Sequence, residues 1–117
     1  MKSWISSKQG TKVAVVSGVR TPFAKSGSKL KDCSAVHLGV AAATETLARA
    51  EINPADIDEV VFGNVGTPAD AANIARVIAL RSGFPESTEA FTVHRNCASA
   101  MDAVAQGCLK IGSNLAD

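Results

Sequence analysis

Apolar and polar positions run along the chain in blocks of two different periods. The first block is Lys12-Val13-Ala14-Val15-Val16-Ser17-Gly18, where apolar residues follow one another without interruption. Such a run predicts a short strand over residues 12–18, covered on both faces. Residues 20–29 are rich in Pro, Gly, Ser and Lys and read as a loop. At Ser34, a good N-cap, the period changes. Val36, Val40, Ala43, Leu47 and Ala50 recur at three- and four-residue steps, which predicts a helix over 35–50 with one apolar face. Asn53-Pro54-Ala55-Asp56 is a turn. A second strand is predicted over 59–64, and a second helix over 70–82 with Ile74, Val77, Ile78 and Arg81 in register. Ser82-Gly83-Phe84-Pro85 stops that helix, with Gly83 as a left-handed cap. Phe91-Thr92-Val93 reads as a third strand. A third helix, over 97–111, is predicted to bury Met101, Val104, Ala105 and Cys108. Its polar stripe (Asp102, Gln106, Lys110) is narrow, so the helix is expected to be covered on most sides.

The order β-α-β-α-β-α implies an α/β fold with a mainly parallel sheet and right-handed crossovers. Residues 1–11 read as a flexible arm and residues 12–117 as one domain. Ligands of such sheets gather at the carboxyl ends of the strands.

Composition narrows the function. Net charge is +1, aromatic residues are 4% of the chain and Tyr is absent. Neither a field nor a set of stacking platforms for nucleic acid is present. Three cysteines, an odd number with no CxxC pair, argue against a disulfide framework. With only His37 and His94 to join them, a zinc site is not expected. No segment reads as a signal peptide or membrane span, and membrane contact is not indicated. A reducing, cytoplasmic setting is the default. The glycines form neither a GxGxxG nor a Walker pattern.

Cys97 carries the chemistry. It falls where the third strand gives way to the third helix, so its thiol meets unpaired backbone N–H groups and the positive end of the helix dipole. Both favour the thiolate, the reactive form. Cys108 reads as core and Cys33 as a loop residue. His94 is three residues before Cys97; in extended chain an odd separation turns the two side chains to opposite faces, so it reads as a packing residue and not a base. His37 reads as solvated. Asn64, Asn73 and Arg76 read as braces in preference to substrate contacts. Lys25, Lys29 and Lys31 read as a solvated loop face.

Three blocks together resemble the N-terminal half of the thiolase family. They are Val19-Arg20-Thr21-Pro22-Phe23, then Gly63-Asn64-Val65 with Asn73-Ile74-Ala75-Arg76, then Phe91-Thr92-Val93 through Cys97-Ala98-Ser99. The chain departs from the family's commonest pattern at Cys97-Ala98-Ser99-Ala100, where Cys-Gly-Ser-Gly is frequent, and at Ile74, where Pro is common. Those variations are similar to the fatty-acid-oxidation-complex β-subunit branch. The resemblance implies an incomplete thiolase N-terminal domain over 12–117, ending before the family's next core strand. It implies acyl transfer in fatty-acid metabolism: the Cys97 thiolate takes an acyl group from 3-ketoacyl-CoA and passes it to CoA, or runs the reverse condensation.

The backbone N–H of Cys97 would donate to the oxyanion. Coenzyme A would be a substrate; no permanent cofactor and no metal are implied. The family's acid, base and second oxyanion donor come from its C-terminal half, so this chain alone is expected to lack sustained turnover. Association with the remainder of the enzyme or with another copy is expected, as a homo-oligomer. A β-ketoacyl synthase relative and a non-catalytic assembly fragment are the competing readings.

Overall fold

The computed structural model describes residues 12–116; the predicted arm over 1–11 lies outside the described residues. Ser34 opens the first helix, α1 (Ala35–Ala50), where its hydroxyl accepts the His37 N–H at 3.2 Å. The helix closes at Glu51, which takes the left-handed conformation at φ 54°, and Ile52 N–H returns to the Leu47 carbonyl. After a short 3-10 turn at Pro54–Asp56 come β1 (Glu59–Gly63), α2 (Ile74–Arg81), β2 (Glu89–Val93) and α3 (Ser99–Gly112).

The two strands pair in parallel, from Glu59 opposite Glu89 to Gly63 opposite Val93, with α2 crossing between them. The α/β class and the parallel pairing are as the sequence predicts. Alternate residues of β1 serve opposite layers. Val60 packs with Ala79 and Phe84, and Phe62 joins both this cluster and the one formed by Val36, Ala71, Ile74 and Ile78. Val61 faces the other way, toward Ile111 of α3. Helices α1 and α2 therefore cover one face of the sheet and α3 the other. The apolar face read from α1 holds: Val36 is buried, while Val40, Ala43 and Leu47 pack against the two clusters. Gly83 is the left-handed cap of α2 at φ 85°, and Phe84 N–H returns to the Ala79 carbonyl.

Three expectations need correction. Residues 12–18 form no strand: Val15 and Val16 stand 85% and 72% exposed. A strand exists only through its ladder, and among the described residues this segment pairs with neither β1 nor β2. The second helix begins at Ile74 and not at 70, because the Asn73 side chain caps it by accepting the Arg76 N–H. The third helix starts at Ser99 and is turned the other way. Met101, Val104, Ala105 and Cys108 are exposed, while Ser99 and Ala103 are its buried residues.

The physical cause lies in size. Small residues let the axis of α3 settle close to the sheet, and its far end is tied by Lys110, which pairs with Glu59 at 2.6 Å and lies over the Phe91 ring. The large apolar residues are left on the outer side.

Two glycines permit the close approaches. A Cβ on Gly39 would strike the Ile78 side chain, and one on Gly63 would strike the backbone of Ser99 and Ala100. A side-chain end can rotate away; helix backbone cannot. We expect Gly63→Ala to lower stability by about 1–3 kcal/mol. Gly39→Ala should cost less, because alanine's helix propensity offsets part of the clash. Urea unfolding of the two variants beside the parent chain measures both, and equal midpoints would contradict the packing.

Candidate active site

The carboxyl ends of β1 and β2 lead into the first turn of α3, and the turn between β2 and α3 contains Cys97. The ladder continues one residue past β1, with Asn64 N–H donating to the Val93 carbonyl at 3.0 Å. Beyond Val93 the chain reverses sharply. Asn96 adopts the left-handed conformation at φ 47°, which asparagine tolerates better than most residues. Ala98 N–H donates to the Arg95 carbonyl and Ser99 N–H to the Asn96 carbonyl. Cys97 thus sits just ahead of Ala98, the N-cap position, and two residues before the first helical residue. The sequence reading placed it inside the first turn. Its side chain is exposed.

Ser99 is the buried polar member of this turn, at 2% exposure. Its hydroxyl accepts the Arg95 N–H at 2.8 Å and donates to the Asn96 carbonyl at 2.7 Å. Arg95 in turn pairs with Asp102 at 3.1 Å, which ties the loop before Cys97 to the first turn of α3. Sequence reasoning did not single out Ser99. Its signal was available: a hydroxyl residue on the small side of an otherwise apolar helix start.

Asn73 and Arg76 act as braces. The Asn73 amide N–H donates to the Ala90 carbonyl, and its oxygen accepts from the Thr92 hydroxyl and from Arg76 N–H. The Thr92 hydroxyl also accepts Ala75 N–H at 3.1 Å. Arg76 donates to the carbonyls of Thr88 and Glu86, both at 2.8 Å. One block of α2 therefore holds β2 along its length and, through β2, the base of the Cys97 turn. The Asn64 side chain supports its own loop by accepting Gly66 N–H at 3.4 Å.

His94 is exposed next to this turn, and His37 lies on α1. Cys33 and Cys108 are exposed, which corrects the core placement of Cys108. Clefts of about 380 and 410 Å³ open at the amino ends of the strands, around Glu59, Glu89, Arg76 and Lys110, and Cys97 lines neither. Among the described residues no group of His, Cys, Asp and Glu could hold a metal ion, and no helix is long and apolar enough to cross a membrane.

With this geometry in hand, comparison with known proteins is decisive. The model of the thiolase N-terminal domain matches residues 13–117. The chain belongs to the thiolase family. It is 46% identical over 98 residues to a 3-ketoacyl-CoA thiolase of Escherichia fergusonii, covering 84% of this chain and 22% of that protein. It is 44% identical over 101 residues to one of Aeromonas salmonicida, covering 86% and 23%. Human mitochondrial 3-ketoacyl-CoA thiolase in complex with CoA superposes with TM-score 0.83 at 37% identity, covering 87% of this chain and 26% of that one. A thiolase from Ascaris suum in complex with coenzyme A gives 0.79 at 36%, covering 82% and 25%. The chain spans less than a quarter of the length of the curated thiolases it matches.

The bracing role of Asn73 has a measurable consequence. We expect Asn73→Ala to cost about 1–2 kcal/mol through loss of the helix cap. The alkylation rate of Cys97 should stay near that of the parent chain. Unchanged stability by urea titration would overturn the brace.

Proposed function

We propose that this thiolase chain supplies the acyl-accepting thiol of the enzyme, with Cys97 as the nucleophile. One observation carries the reading: an exposed thiol stands at the carboxyl end of a parallel strand, on a tight turn leading into a helix. That position offers a carbonyl group access to sulfur and brings the helix dipole to bear on charge developing beside it.

In the degradative direction the Cys97 thiolate attacks the C3 carbonyl of a 3-ketoacyl-CoA. The C2–C3 bond breaks and its electron pair leaves on the acetyl-CoA fragment, which takes a proton from an acid. The acyl group stays on Cys97 as a thioester. A CoA thiolate then attacks that thioester and releases the shortened acyl-CoA, restoring the Cys97 thiolate. Sulfur suits both halves because it is a good nucleophile and a good leaving group. The oxyanion of each tetrahedral intermediate needs donors, and the Cys97 N–H is the one we assign to this chain; loss of one such donor typically costs about 100- to 1,000-fold in rate. The human and Ascaris suum thiolase structures are complexes with coenzyme A, and we assign it as the thiol substrate here.

The acid, base and second donor belong to the part of a thiolase outside these residues. Exposed Met101, Val104 and Leu109 on α3, with the unpaired apolar run at 13–16, support association with that part or with a second copy. Three exposed free cysteines fit a reducing compartment of cytoplasmic type.

Acyl exchange from acetyl-CoA to a thiol needs no carbanion and no acid, so the chain by itself can report on Cys97. We expect incubation with acetyl-CoA to place an acetyl group on Cys97 in preference to Cys33 and Cys108, without turnover of acetoacetyl-CoA. Peptide mass mapping reads the label, and Cys97→Ser should remove the preferred adduct. Equal labelling of the three cysteines would sink the assignment.

A further inference from the structure

We propose that Ser99 is a positioning residue for the nucleophile: its buried hydroxyl fixes the Cys97 turn so that thiol and N–H face one carbonyl group together. The inference rests on the reading of Cys97 as the acyl-accepting thiol. A hydroxyl at the N-cap position turns forward and caps a free N–H of the first turn, but Ser99 stands one residue past that position. Ser99 turns backward. Its oxygen takes the Arg95 N–H at 2.8 Å and its proton goes to the Asn96 carbonyl at 2.7 Å, so both directions of the hydroxyl are spent on the segment before Cys97.

The N-cap position, Ala98, contributes no side-chain cap at all. What Ser99 holds is therefore the loop and not the helix. Between the residues it ties and Ser99 itself, only Cys97 and Ala98 intervene.

The anchor is rigid because its other end is rigid. Gly63, at the end of β1, lies against the Ser99 carbonyl and the Ala100 nitrogen so closely that no Cβ would fit. The backbone of Ser99 is thus set by the sheet, and its hydroxyl passes that position to Arg95 and Asn96. The tie bears on Asn96 as well, whose carbonyl it holds while the residue sits in the left-handed region at φ 47°. Without the hydroxyl, the Asn96 carbonyl keeps only the Ser99 N–H and the Arg95 N–H loses its acceptor, so the peptide ahead of Cys97 is held less tightly and the Cys97 N–H shifts with it.

Positioning separates two reactions of the same sulfur. Alkylation by iodoacetamide needs only a thiolate. Acyl transfer also needs the carbonyl oxygen to reach the N–H while its carbon reaches sulfur, and a small misplacement there costs about 100-fold. The experiment compares the parent chain with Ser99→Ala and Ser99→Thr, reading acetyl transfer from acetyl-CoA and iodoacetamide alkylation at Cys97 by mass mapping. Cys108, farther along α3, is the internal control for undocking of the helix, and circular dichroism follows the fold.

We expect Ser99→Ala to slow acetyl transfer to Cys97 by about 10- to 100-fold. Alkylation of Cys97 and of Cys108 should change by less than about twofold, because neither needs an oriented peptide. Ser99→Thr, which keeps the hydroxyl, should recover most of the transfer. Acetyl transfer unchanged in Ser99→Ala, from a parent chain that does acetylate Cys97, overturns the role of Ser99 alone. A parallel rise in alkylation at Cys97 and Cys108 with loss of helical signal overturns it too, in favour of a purely structural hydroxyl. A parent chain that leaves Cys97 without acetyl overturns both this inference and the reading beneath it.

Discussion

Gly63 has no side chain, and the start of α3 lies where that side chain would be. The geometry around Cys97 depends on this close approach. It brings helix backbone down onto the end of β1, which buries Ser99 and gives its hydroxyl only the preceding loop to bond with. The left-handed turn at Asn96 and the exposure of Cys97 follow from that confinement. The opposite end of α3 is fixed by another kind of force, the Lys110–Glu59 pair with Phe91 beneath the ammonium. A steric anchor at one end and an electrostatic one at the other hold the helix in register with the strands.

Much of this was legible in the sequence where local rules decide. The Ser34 cap, the apolar face of α1, the Gly83 stop and both strands follow from period and turn chemistry, which need only near neighbours in the chain. The place of Cys97, exposed just after a strand and ahead of a helix, was legible for the same reason. The family was legible for the same reason: three short blocks in order, each tied to an element end.

Where a partner decides, the sequence reading went astray. Residues 12–18 have the composition of a buried strand, yet composition cannot supply the neighbouring edge whose hydrogen bonds make a strand. On α3, periodicity pointed to Met101, Val104 and Cys108 as the buried face because they carry the larger apolar surface. The sheet selected Ser99 and Ala103 instead, since only small residues match the approach that Gly63 allows. Both misreadings concern apolar residues that the structure leaves exposed, Val15 and Val16 in one case and Met101 and Val104 in the other.

That division of surface parallels a division of chemistry. A thiol on a tight turn can accept and return an acyl group, because thioester exchange conserves charge on sulfur from one side to the other. Cleaving a carbon–carbon bond is a different demand: a carbanion leaves, and a proton must be delivered to it as it forms. His94 stands exposed beside the turn, and the chain reverses between it and Cys97, so the odd spacing that set it aside in the sequence, a rule for extended backbone, does not describe this segment. The first task needs an anchored turn, which β1, β2 and α3 build among themselves. The second needs a proton donor placed against the departing carbon, a separate demand on the site. The exposed flank of α3 and the exposed thiol thus share one origin, the close seating of the start of this helix on the end of β1.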